Sequence, residues 1–140
     1  MGKSKGMGSD IFLFVIGISI IFFIGGCAGL ASKETKARFK RTIPVCTSKA
    51  DCKAKWEAAQ LWVVHNADFK IRTVTNVLIE TESSGRSGST ALGARVTKEP
   101  LGDGNYKLVV QTWCNNPFGC SQDPWEAALD FNRTVKAAAP

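Results

Sequence analysis

The sequence predicts an α+β fold: a small two-layer domain running helix, three-stranded antiparallel meander, helix, stapled by two disulfides. Three observations predict it. Two segments, Cys46 to Trp62 and Cys114 to Phe131, each read as a loop leading into a helix. The chain between them alternates apolar and polar residues at the period of a strand. Four cysteines fall into two pairs, each with five residues between its members.

The first helix is signalled by Thr47 or Ser48 as N-cap and by Ala-, Lys- and Glu-rich sequence through to about Asn66. Trp56, Ala59 and Val63 share one face at helical spacing. The second helix has Asp123 as N-cap, Pro124 at its first position and Glu126 in its first turn. Trp125, Ala128, Leu129 and Asn132 lie on one face of it, with Val135 beside them.

Between the helices, Phe69 to Glu82 reads as the first strand, with Phe69, Ile71, Thr73, Thr75, Val77 and Ile79 on one side. A Gly/Ser loop, Ser83 to Ser89 with Arg86 at its tip, leads to a shorter strand around Ala91 to Glu99. A turn at Asp103-Gly104 precedes the third strand, Tyr106 to Cys114. Turns this tight make the sheet an antiparallel meander with one face under both helices. About 95 residues are enough to fold, helped by the bridges.

The two helical segments echo one another. Each reads Cys, five residues, Cys, a short spacer, then Trp-Glu-Ala-Ala. Matching spacing favours local bridges, Cys46–Cys52 and Cys114–Cys120. The crossed pairings, Cys46–Cys120 with Cys52–Cys114 or Cys46–Cys114 with Cys52–Cys120, also satisfy the sequence. Five-residue gaps without supporting His or Asp argue against a redox dithiol or a zinc site.

The N-terminus reads as an address. Lys3 and Lys5 precede an uncharged apolar run from Ile11 to Ile24, and small residues follow, the layout of a secretory signal. At 14 residues the run is shorter than the ~20 a helix needs to cross hydrocarbon. A retained anchor extended by Gly25, Gly26 and Ala28 to Ala31 is the rival reading. Ile24-Gly25-Gly26-Cys27 resembles the lipobox of bacterial prolipoproteins, with Ile24 where Leu is usual. The resemblance implies cleavage before Cys27, a diacylglycerol thioether on its sulfur and an amine open to acylation. Two or three acyl chains anchor durably where one does not, each buried methylene contributing ~0.8 kcal/mol.

With Cys27 so used, the odd count of five cysteines leaves four, an even number for an oxidising compartment. Ala28 follows Cys27. In the sorting logic of Gram-negative lipoproteins, that residue in place of Asp implies the outer membrane, facing the periplasm. The mature domain also has a general likeness to small uncharacterised proteobacterial lipoproteins.

The expected organisation is therefore a signal peptide (1–26), a basic flexible tether (27–44) and the α+β domain (45–140). The formal charge of +6 sits mainly outside the domain. Lys33, Lys36, Arg38, Lys40 and Arg41 of the tether face one acid, Glu34, whereas Val45 to Pro140 holds 11 basic and 10 acidic residues. A near-neutral domain argues against nucleic-acid binding, which needs a basic face on the folded module. The basic tether either lies against anionic head groups, at ~1 kcal/mol per charge near the surface, or is a solvated spacer.

Chemistry is sparse. His65, the only histidine, falls near the end of the first helix, where an imidazolium suits the helix dipole. No nucleophile elbow, phosphate loop or paired metal-ligand helix appears. No catalytic residue, metal ligand or cofactor is expected, apart from the covalent diacylglycerol and acyl chains on Cys27. Asn132-Arg133-Thr134 matches a glycosylation sequon but falls on a helix. The candidate contact loop is Trp113, Asn115, Asn116 and Phe118, aromatic and amide groups in or beside the second staple. The competing reading has Trp113 and Phe118 filling the sheet edge. The leading functional expectation is a lipid-anchored, non-enzymatic envelope component docking to an envelope protein. The alternatives are a peptidoglycan- or lipid-binding module, or a small envelope hydrolase.

Overall fold

A computed structural model describes residues 31–140. The signal run, Ile24-Gly25-Gly26-Cys27 and Ala28 lie outside the described residues. Three helices and five strands follow one another as α1 (Lys33–Thr42), β1 (Val45–Cys46), α2 (Lys49–Asn66), β2 (Ile71–Val74), β3 (Leu78–Thr81), β4 (Ser89–Gly102), β5 (Asn105–Asn115) and α3 (Pro124–Ala137). The strands form one antiparallel sheet in the order β1-β5-β4-β3-β2. The fold is α+β with two disulfides, and the sheet has five strands where the sequence pattern suggests three.

Both extra strands have a physical reason for escaping the pattern. The stretch Phe69 to Glu82 is a hairpin, because Thr75 turns the chain. Its hydroxyl accepts from the amides of Val77 (3.2 Å) and Leu78 (2.9 Å), and its own amide donates to the Leu78 carbonyl at 2.8 Å. Alternation carried across this turn puts Val77 on the Ile71 and Ile79 side. The turn resets the register and leaves Val77 exposed while Ile79 is buried. β1 has two residues, paired as Val45 with Lys107 and Cys46 with Tyr106, too few for periodicity to register.

The helices that flank the sheet match their start signals. The Ser48 hydroxyl accepts from the Asp51 amide at 3.1 Å, while the Asp51 carboxylate accepts from the Thr47 amide at 3.0 Å. The first bond satisfies one of the amides that a helix start leaves free, and the second fixes the chain just before the cap. Asp123 caps α3 by accepting from the amides of Trp125 (2.9 Å) and Glu126 (3.0 Å), with Pro124 opening the helix. The core lies between these helices and one sheet face. Ile79, Leu92, Ala94, Val96, Leu108 and Val110 meet Trp62 and Val63 of α2 and Phe131 and Val135 of α3. Trp62 and Phe131 meet edge to face, with centroids 5.2 Å apart. The Trp62 indole N–H donates to Asp130 at 2.8 Å, so its polar end is satisfied where the ring is buried. On the opposite sheet face Glu80, 8% exposed, is clamped between Arg72 and Arg95.

Residues 33–42, expected as part of a flexible tether, form α1, which packs along α3. Ser32 caps it, its hydroxyl accepting from the Thr35 amide at 3.0 Å. Phe39 meets Trp125 edge to face at 5.8 Å, and Arg38 donates to Glu126 at 3.2 Å. Asn132, fully buried, donates to the Phe39 carbonyl (3.2 Å) and the Thr42 hydroxyl (3.0 Å). Ten mostly polar residues would be marginal as an isolated helix; tertiary packing on one stripe holds this one. It also divides the α3 face read from sequence. Ala128 and Val135 enter the core with Ala127 and Phe131, whereas Trp125 and Asn132 serve the α1 contact.

Candidate functional site

The elements define two ends of the molecule. β5, 11 residues and so roughly 35 Å long, runs from Tyr106 beside β1 to Asn115 beside Ser89. At its far end lie the β4–β5 turn, where Asp103 and Gly104 take positive φ, and the start of α2. At its near end lie the Gly/Ser loop and the second staple.

The near end is built around Cys114–Cys120, with Cα atoms 5.9 Å apart. The four candidate contact residues separate here by role. Trp113 lies flat on the sheet over its cross-strand neighbour Gly93; a Cβ there would sit 2.6 to 2.8 Å from three indole atoms. Only glycine permits that approach. Asn115 and Asn116 stitch the staple to the Gly/Ser loop, donating to the carbonyls of Ser84 (2.9 Å) and Gly88 (3.0 Å). The Asn116 side-chain oxygen also accepts from the Phe118 amide at 2.9 Å. Phe118 alone is free: it is 94% exposed on this braced loop. The expectation that Phe118 fills the sheet edge therefore fails, because the staple and the Asn116 turn project its ring into solvent. The Gly/Ser loop is likewise engaged, and Arg86 is exposed upon it.

The far end carries a cleft of about 740 Å³ between the first turns of α2 and the β4–β5 hairpin. Lys49, Lys53, Trp56, Lys98, Asp103 and Tyr106 are among its lining residues. Cys46–Cys52, with Cα atoms 4.9 Å apart, ties β1 to α2 at this end. The Lys98 ammonium lies 4.9 Å from the Tyr106 ring centre and 5.9 Å from that of Trp56. Beside it, Lys55 bonds Asp51 at 2.7 Å and the Val45 carbonyl at 2.9 Å. Lys55 first, then the Thr47 amide, hold the Asp51 carboxyl below its usual range. Lys107 and then Thr97 do the same for Glu99 on the adjoining hairpin.

The sequence reading missed this cleft, since Trp56 of α2 reaches Lys98 and Tyr106 of the β4–β5 hairpin only when the helix packs against the sheet, a contact no local pattern encodes. His65 is exposed in the last turn of α2. Among the described residues, no group of three or more His, Cys, Asp or Glu is placed to hold a metal, and no helix is long and apolar enough to cross a membrane. Two disulfides point to an oxidising, non-cytoplasmic location. No protein-family model, curated protein or solved structure matches the chain.

Proposed function

We propose that the chain is a bacterial envelope lipoprotein, anchored by acyl chains on Cys27 at the periplasmic face of the outer membrane, whose domain docks another envelope protein. The far-end cleft carries the docking half of this reading. It opens at the end of β5 away from α1's first residue, so an anchor attached before Lys33 leaves it accessible. Its lining suits polypeptide better than glycan. Trp56 is only 8% exposed, and Lys98 already occupies a face of Tyr106, so neither aromatic offers an open ring for a sugar to stack upon. Lys49, Lys53 and Lys98 outnumber the acids Glu57 and Asp103 around the opening, which favours an acidic segment.

The test is a photo-crosslinker at Gln60, which lines the cleft, used in intact envelopes. One discrete protein adduct, weakened by Lys98→Glu, is the expected outcome. Adducts confined to glycan strands, or none, would sink the docking reading.

A further inference from the structure

We infer that the second staple is a membrane-seating loop, with Phe118 entering the interfacial layer of the bilayer that holds the anchor. The inference rests on the proposed lipidation of Cys27 for the bilayer's proximity, and on the folded domain for everything else. Helices α1 and α3 run in the same direction: Lys36 lies over Trp125, Arg38 bonds Glu126 and Thr42 bonds Asn132. The start of α1 therefore lies beside the start of α3, the end from which the staple projects. Five residues lie between Cys27 and Lys33, so six steps of chain give a reach of at most roughly 22 Å even when fully extended. An anchor at Cys27 thus brings this end of the domain, and no other, against the lipid.

The surface it brings has the chemistry of an interfacial contact. From Asn115 to Gln122 the chain carries no charge, and Phe118 is its exposed apolar tip. Exposed cations flank it, Arg86 on the stitched neighbouring loop and Lys33 and Lys36 at the start of α1. The charges around the tip are mixed, Lys33, Lys36 and Arg86 against the exposed acids Glu34, Glu82 and Asp123, so the match to the interfacial layer is carried by the uncharged loop and its apolar tip. The disulfide and the Asn115 and Asn116 bonds hold the tip in place before contact, so little ordering entropy opposes insertion. A protein groove is the competing occupant of Phe118. The position of the staple beside the anchor and the absence of charge favour lipid.

The experiment places p-benzoylphenylalanine at Phe118, or at Leu101 near the β4–β5 turn, in the full chain expressed in its envelope. Both side chains are exposed, so neither replacement disturbs the core. After irradiation, the peptide bearing position 118 should gain the mass of one phospholipid, and the peptide bearing position 101 should not. A protein adduct at 118, no adduct there, or equal lipid labelling at both positions overturns the inference. Intact mass of the same samples reports acylation separately. Acylated protein without lipid at 118 leaves the anchor standing and removes the seating loop; unacylated protein with lipid at 118 does the reverse.

Discussion

Replacing Asn132 by Ala should loosen α1 from the domain. Asn132 is fully buried, and its amide group supplies both hydrogen bonds that fasten the end of α1, to the Phe39 carbonyl and the Thr42 hydroxyl. Its side-chain oxygen has no partner among the described residues, so the loss comes from the donor side. Each such bond contributes about 0.5–1.5 kcal/mol net, which sets the loss at roughly 1–3 kcal/mol. At 1.4 kcal/mol per decade, amide hydrogen exchange at residues 39–42 should accelerate roughly five- to hundred-fold. Thr42→Val removes one of the two acceptors. Combined with Asn132→Ala, it should cost less than the two changes added, with a coupling of at least about 0.5 kcal/mol. Additive losses, or α1 amides without protection in the parent protein, would refute the docked helix.

Four further outcomes follow from the core, the staples and the sheet. Phe131→Ala removes a fully buried ring that meets Trp62 edge to face and should cost about 3–5 kcal/mol in urea unfolding; a loss near 1 kcal/mol would contradict its core position. Replacing Cys114 and Cys120 together by Ala opens a short ring and should cost roughly 2 kcal/mol, with unchanged stability as the contrary result. Gly93→Val should push Trp113 off the sheet, seen as a red-shifted emission and a changed near-ultraviolet dichroism; an unaltered spectrum would show that the indole does not rest there. Arg95 and then Arg72 hold the Glu80 carboxyl below the ordinary glutamate value of 4.5. Its stabilising contribution is therefore present above that value and lost as pH falls through the lowered one. Glu80→Gln should flatten the acid limb of the stability profile below about pH 4.5, and an unchanged limb would count against the clamp.

What could be read from the chain, and what could not, divides along the range of the interactions. Ser48, Asp123 and Pro124 act within a few residues, and α2 and α3 begin where those residues predict. The β4–β5 hairpin follows from Gly102 to Gly104 and the alternating runs on either side. By contrast, α1 owes its position to Phe39 and Asn132 meeting across 93 positions of sequence, a contact that no local pattern encodes. Ser32 before Lys33 and Glu34 was the one local sign, an N-cap followed by an acid in the first turn, obscured by the basic residues around it. Phe118 and Trp113 carry similar local signals, yet one is exposed and the other rests on the sheet. The difference depends on Gly93, twenty residues upstream and directly across the ladder.

The decisive measurement is the intact mass of the mature protein with and without reduction. A lipid anchor on Cys27 together with two closed staples requires a chain that begins at Cys27, carries diacylglycerol with or without a further acyl chain, and gains four hydrogens on reduction. A chain that retains residues 1–26 with an unmodified Cys27 thiol would contradict the anchor, and with it the membrane-facing arrangement of the domain.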